Sequence, residues 1–314
     1  MHNRHNLTAC EITLPGGLTE LKDFIGCVRP VERTGDYPTT VDLDEMFQNP
    51  EMLQNTRFWR SINGELAAYA FIHFPYNNLS FEITDPYWSD SLEDEILAWA
   101  EERMRAHYPA GLSEQTLDGS CRVEDERINR FFERHGFARE EVESVSYRID
   151  LPDVLPAPVL PPGFTLRPLN PESEVEQVVA LHQAAFGTQL FSIEERVAIM
   201  NTGAYLPDLD LVVQAPDGSL AGNCICGIEP PASENEEPRG YTDPVVVHPA
   251  HQRQGIARAL LLQGLAGLRE RGISRVELGT TNLNTGMRKA AEAVGFRCVS
   301  HKAWFSKSLS DYLY

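Results

Sequence analysis

The chain has 314 residues and a formal net charge of −19, with 46 acidic against 27 basic side chains. A surface this acidic repels a phosphate backbone, which argues against a nucleic-acid partner. No apolar run is long enough to cross a membrane, and the polar start, Met1 to Asn6, carries no apolar leader, so the cytoplasm is the expected location.

In chain order, Leu79 to Ile83 alternates apolar and polar residues and reads as a strand ahead of Asp85-Pro86. A helix is expected from Leu92 to Tyr108, with Ser89-Asp90-Ser91 as its capping start. Phe131-Phe132-Glu133-Arg134-His135-Gly136-Phe137 closes another helix, and a strand follows that ends in Tyr147-Arg148-Ile149. Then Leu151 to Pro162 carries five prolines, an extended and semi-rigid composition that reads as an interdomain linker. The expected organisation is therefore a domain over 1–150, a linker over 151–162 and a domain over 163–314. Charge is uneven across it: 28 acidic and 14 basic residues up to position 150, 18 and 13 beyond. An anionic ligand is repelled less by the second half.

In that half, Phe164 to Leu169 reads as a strand, Glu172 to Phe186 and Ser192 to Met200 as helices, and Leu209 to Gln214 with Leu220 to Ile228 as a hairpin turning at Asp217-Gly218. Cys224 and Cys226 share one strand face and are expected in the core, since no His/Cys grouping in the chain has metal spacing and no metal is expected. The apolar run Val245-Val246-Val247 leads through His248-Pro249 to Gln252-Arg253-Gln254-Gly255-Ile256-Ala257, and Arg258 to Leu262 opens a helix. Strand, glycine turn and helix start make an anion site, because the first amides of a helix are unpaired and carry partial positive charge. Gly272 stops that helix, Ile273 to Leu278 is a strand, Asn284 precedes a helix to Val294, and Gly295-Phe296 precedes a last strand, Val299 to Phe305.

The order Val-His-Pro, then Gln-x-x-Gly-x-Ala, then Asn284 followed about eleven residues later by Gly295-Phe296 resembles the acyl-CoA-binding half of the GNAT acetyltransferase superfamily. The same order recurs in weaker form before the linker: Pro86 to Gly136 spans 50 residues, Pro249 to Gly295 spans 46. The chain thus resembles the tandem two-domain form of that superfamily. The resemblance implies an α/β (α+β) fold of two GNAT-like domains, each a mixed, mostly antiparallel central sheet flanked by helices. Aligned on the prolines, Leu92 and Asp94 stand where Gly255 and Ala257 do, and Asp90, Glu93, Asp94 and Glu95 crowd the place of a pyrophosphate. Asp125 stands for Asn284. The first domain is accordingly expected to be non-catalytic, its acidic run serving as a helix cap.

The resemblance further implies acetyl-CoA as co-substrate, with no metal. Val245, Val246 and Val247 would line its pantetheine arm in a gap between the fourth and fifth strands. The backbone of Gln252, Arg253, Gln254, Gly255, Ile256, Ala257 and Arg258 would hold the pyrophosphate, and Asn284 would contact the arm. The implied reaction is N-acylation of a small-molecule or peptide amine by direct attack in a ternary complex. Asp243, before Pro244, and Glu277 are the candidate bases, and an amide near Val245 the oxyanion donor. Where the superfamily often has a tyrosine acid, this chain has Ala291; Tyr312 or Tyr314 in the tail is a candidate replacement, or the thiolate leaves unaided. That departure keeps a second reading open, a non-catalytic acyl-CoA-binding or sensing protein. Membrane partners are not expected, and monomer and homodimer are both compatible with the sequence.

Overall fold

The computed structural model describes residues 7–74, 76–109, 115–231 and 237–309. Its first elements are β1 (Thr8–Glu11), α1 (Gly16–Val28), α2 (Thr40–Met46), α3 (Glu51–Gln54), β2 (Thr56–Arg60), β3 (Leu66–His73), β4 (Asn78–Ile83), α4 (Asp90–His107), β5 (Thr116–Arg122), α5 (Glu126–Arg134) and β6 (Ala138–Asp150). There follow β7 (Thr165–Pro168), α6 (Val175–Phe186), α7 (Ile193–Met200), β8 (Tyr205–Gln214), β9 (Leu220–Glu229), β10 (Arg239–Val247), α8 (Ile256–Glu270), β11 (Arg275–Thr281), α9 (Thr285–Val294) and β12 (Arg297–Ser308). Among the described residues no helix is long and apolar enough to cross a membrane.

Two compact units form, one from residues 1–142 with 302–314, the other from 143–301. In the first, the strand order is β1-β2-β3-β4-β5-β12. Its neighbours are antiparallel except β4 and β5, which run parallel and pair at Asn78 and Asp118. In the second, the order is β7-β8-β9-β10-β11-β6, antiparallel except for β10 and β11. The last residues of the chain therefore complete the first unit: Lys302 to Ser308 pair with Arg122 to Thr116. Residues 144–150 complete the second, pairing with β11 from Thr281 back to Arg275. These boundaries lie away from the proline-rich stretch, which belongs to the second unit. There Leu151 N–H donates to Ser274 O at 2.8 Å, Arg269 holds the carbonyls of Pro152 and Asp153, and Leu155 and Leu160 pack on the core.

The helices follow from their caps and faces. Thr39 and Ser192 each make a reciprocal capping box with the residue three on, Asp42 and Glu195, which starts α2 and α7. Gly187 and Gly295 end α6 and α9 in the left-handed conformation. In the second unit α8 lies hard against the sheet because Gly264 faces Cys226: a Cβ there would collide with the Cys226 sulfur. Cys224 and Cys226 are both buried with sulfurs 3.6 Å apart, and their mutual hydrogen bond and burial push the Cys224 thiol well up, so both act as core residues.

In the first unit the core joins β12 to the older elements of the chain. Phe305 stacks on Phe132 with centroids 4.7 Å apart, and Ala303 and Leu309 belong to the same cluster as Trp59, Trp99 and Phe131. Phe305→Ala should cost about 3–5 kcal/mol. The four tryptophans, at 59, 88, 99 and 304, all lie in the first unit. The loss is therefore expected as a shifted tryptophan-fluorescence unfolding transition in denaturant; an unshifted one would show that β12 does not hold that unit together.

Candidate acyl-CoA site

The site follows from one interrupted pairing. β10 and β11 are parallel partners at Gly240/Val276 and Tyr241/Glu277, and their pairing stops there. On its other side β10 bulges: two residues, Asp243 and Pro244, stand between the pairs Thr242/Cys226 and Val245/Cys224, opposite the single residue Ile225 of β9. Beyond the bulge, Val245 to Val247 stay with β9 while Leu278 to Thr281 stay with β6, so a gap opens between the fourth and fifth strands of this unit. Parallel strands put Val247 and Thr281 at the same edge. The sequences that leave that edge are 248–255, ahead of α8, and 282–284, ahead of α9.

The 248–255 connection is shaped by two left-handed residues, Arg253 (φ 62°) and Gly255 (φ 84°). Gly255 occupies the cap position of α8, and no side chain caps the helix; its first turn holds no acidic residue. A Cβ on Gly255 would have a single neighbour, the Val159 carbonyl at 4.0 Å, so the approach to the first amides is open. His248 Nδ1 accepts from Ala250 N–H and Gln252 Nε2 donates to Val247 O, which fixes the turn from below. Arg253 and Arg258 are exposed and make no hydrogen bond or ion pair among the described residues. Ile256 is buried under this turn against Gly222 of β9. These features fit a pyrophosphate: a helix start without a side-chain cap, a positive helix end, two guanidinium groups unengaged among the described residues, and no acidic residue in the first turn.

The other candidates divide. Asp243 stands in the bulge at the mouth of the gap, exposed, its Oδ2 4.0 Å from where a Cβ on Gly279 of β11 would be. Glu277 sits at the last paired position, and its Oε1 accepts from Arg148 Nε (3.0 Å) and Nη2 (2.8 Å). Asn284 Oδ1 accepts from Met287 N–H at 3.1 Å and caps α9. Ala291 is fully buried in the core. Tyr312 and Tyr314 lie outside the described residues.

The other half shows what the duplicated features became. Asp125 caps α5 through Ile128 N–H just as Asn284 caps α9. At the start of α4, Ser89 Oγ accepts from Leu92 N–H, Leu92 is buried, and Arg134 engages Asp90, Glu93 and Asp94. The amides that would meet a pyrophosphate are thus capped, and the neighbouring charge is negative. A cavity of about 530 Å³ does lie in this unit, between β4 and β5. It is lined by fixed charges: Arg29 on Glu82 at 2.5 Å, and Asp36 between Arg122 (2.8 Å) and Lys302 (3.3 Å). Burial raises the Asp36 carboxyl, but Lys302, Arg122 and Arg33 outweigh it and leave it lowered; burial lowers Lys302.

The model of the acetyltransferase (GNAT) family matches residues 179–296. This segment is a GNAT domain. A curated relative, mycothiol acetyltransferase of Thermobispora bispora, is 31% identical over 146 residues, covering 45% of this chain and 49% of that protein. The match spans about half the length of that relative. Over the whole chain, the fold is that of a GCN5-related N-acetyltransferase from Sphaerobacter thermophilus (TM-score 0.74, 22% identity, 96% and 95% of the two chains). It is likewise that of a tandem GNAT protein from the clavulanic acid biosynthesis pathway (TM-score 0.70, 16% identity, 96% and 98%).

Reading the sequence missed a buried polar cluster on the opposite face of this GNAT domain. Arg196 of α7 pairs with Asp210 of β8, and Asp210 also accepts from Tyr205 Oη (2.7 Å) and Asn223 Nδ2 (2.9 Å). Arg196, Asp210 and Asn223 are all buried, and Arg196 Nε and Nη1 have no hydrogen-bond partner among the described residues. The signal was present: Asp210 and Asn223 interrupt two apolar strands. Beside it, His182 of α6 packs between Phe186 and Phe191, and burial, then Arg196, lowers its pKa to about 4. A histidine lowered from 6.5 in the folded state favours folding fully above about pH 6.5, and the contribution is lost as pH falls toward 4. Wild type should therefore lose more thermal stability than His182→Phe between pH 6.5 and 4.5; parallel melting curves for the two would show that His182 protonates as easily folded as unfolded.

Proposed function

We propose that the chain is an acyl-CoA-dependent N-acyltransferase, most simply an acetyltransferase, whose donor site is the gap between β10 and β11 and the start of α8. The observation that carries this reading is the uncapped α8 N-terminus behind Gly255, opening at the same sheet edge as the unpaired ends of β10 and β11. Arg253 to Arg258 hold the pyrophosphate through backbone amides and the two guanidinium groups; Val245 to Val247 offer strand backbone to the pantetheine amides. Asn284 Nδ2 remains as a donor toward the arm, its Oδ1 being spent on the helix cap.

The acceptor is a primary amine. An ammonium at the gap must lose a proton before its nitrogen can attack a thioester carbonyl. Asp243 takes that proton, directly or through a water, and of the two candidate carboxylates it is the one at the gap. Val245 N–H stabilises the oxyanion that develops on the carbonyl. With Ala291 in the core, no residue of α9 at that position protonates the departing sulfur; a thiolate with a conjugate acid near pKa 8–9 leaves without one. The first unit serves as a scaffold in this reading, its α4 start being closed to phosphate. The acceptor class extends from small-molecule amines to peptide N-termini, and the mycothiol acetyltransferases make amine-bearing small molecules the first compounds to try.

Two measurements test this. Gly255→Asp strains a left-handed position (φ 84°) at a cost of about 1–2 kcal/mol, which the fold should survive, and should weaken CoA binding about 10-fold or more by setting negative charge over the first amides of α8. Isothermal titration with CoA against pantetheine, which lacks the pyrophosphate, separates the causes: pantetheine affinity is expected to stay. Equal CoA binding by the variant and wild type rules the loop out. Asp243→Asn should lower turnover about 10²–10⁴-fold at neutral pH while CoA affinity holds, and the deficit should shrink at high pH as the free amine becomes abundant. An unchanged rate across pH removes Asp243 from the reaction. Tight CoA binding with no thiol release on any amine favours the alternative, an acyl-CoA-binding sensor.

A further inference from the structure

A second reactive constellation lies in the second unit, on β6 and on the first residues of β12, which up to His301 belong to that unit, apart from the donor site. Cys298 of β12 is exposed, with its Sγ 3.4 Å from His301 Nε2. His301 Nδ1 is 3.0 Å from Glu143 Oε2 on β6. A carboxylate accepts and does not donate, so the proton of this second bond belongs to Nδ1. Nε2 is then the basic nitrogen, and it faces the sulfur. Thiol, imidazole and carboxylate thus stand in the order in which a base and its orienting group activate a nucleophile.

The arrangement has a structural cause. Side chains three apart on a regular strand point to opposite faces. In β12 the inward positions run Ser300, Ala303 and Phe305, so the alternation slips by one between 300 and 303. Cys298 and His301 meet beside that slip. Glu143 is pinned in turn: its N–H donates to Asn282 Oδ1 at 3.0 Å, and its carbonyl accepts from Asn282 N–H at 2.9 Å. Asn282 lies two residues before Asn284, so the carboxylate is anchored on the turn that starts α9.

We propose that Cys298 is a nucleophilic thiol, activated by His301 and Glu143, that exchanges with low-molecular-weight disulfides to form a mixed disulfide. In this exchange Cys298 Sγ attacks one sulfur of R–S–S–R while His301 Nε2 takes the thiol proton. The R–S–S–R bond breaks, the departing RS⁻ receives that proton and leaves as RSH, and Cys298–S–S–R remains. One half of the disulfide is reduced, the cysteine is oxidised, and no further oxidant is required. Cys27 provides the contrast within the same chain: it is exposed too, but no imidazole or carboxylate contacts its sulfur among the described residues.

The test uses the full-length protein and the disulfide reagent 5,5′-dithiobis(2-nitrobenzoate) at pH 7, with peptide mass spectrometry to assign each cysteine. Cys298 should form its mixed disulfide at least about 10-fold faster than Cys27, within the range a positioned base supplies. His301→Ala should bring Cys298 down to the Cys27 rate, and added imidazole should restore part of the difference, which a merely structural role for His301 would not allow. Glu143→Gln should fall between the two. Iodoacetamide, which alkylates without exchange, should rank the variants in the same order. Equal rates for Cys298 and Cys27 in wild type, or a His301→Ala protein that keeps the wild-type rate, overturns the proposal.

Discussion

The parallel contact between β10 and β11 lasts for two residue pairs and then fails, and the rest of the GNAT domain is arranged around that failure. Parallel neighbours need a crossover, and the crossover here is α8. Its N-terminus must therefore return to the edge where β10 ends, the same edge at which the strands have separated. Unpaired helix amides and unpaired strand backbone arrive together for reasons of connectivity. Backbone groups left without partners forgo about 1 kcal/mol apiece when they are open to water and more when they are not. A ligand with phosphates at one end and amides along its length answers both deficits.

The two units share this geometry and differ in what fills it. In the first, β4 and β5 also meet at one pair and part, yet the space between them is lined by ion pairs and the start of α4 is capped by Ser89 and ringed with carboxylates. In the second, Gly255 stands where the buried leucine does in the first, no side chain caps α8, and two arginines near its start are unengaged among the described residues. The two differ by a few side chains laid on a similar strand and helix plan, with Asp125 and Asn284 keeping the same capping duty in both.

How legible this was depends on the range of the interaction concerned. The strand-turn-helix around Gly255 could be read because each part is local: an apolar run, a glycine, a helical period. The cap role of Asn284 is local too, three residues to Met287, but a reading that sought a ligand contact passed over it. Arg148 on Glu277 was not legible, because 129 residues separate them and nothing in either neighbourhood marks the pair. The same holds for Cys298, His301 and Glu143, where the deciding step is a slip in strand alternation. Asp210 and Asn223 fall between: a polar residue inside an apolar strand announces a buried partner without naming Arg196.

The proline-rich stretch is the clearest case of composition and context pulling apart. Five prolines in twelve residues favour an extended chain; they do not specify what it lies against. Leu155 and Leu160 give it an apolar side, Arg269 of α8 holds its carbonyls, and the second unit takes it as a strap. The strand before it, β6, supplies that unit with Tyr147 and Ile149 for its core and Arg148 for Glu277. Division of the chain at the prolines would remove all three, and it would leave the first unit without Ala303, Phe305 and Leu309. The two units repeat one strand and helix order, but each is finished by a segment that the other half of the sequence carries. The second unit therefore takes its edge strand and part of its core from residues 144–150, which precede the prolines in the sequence.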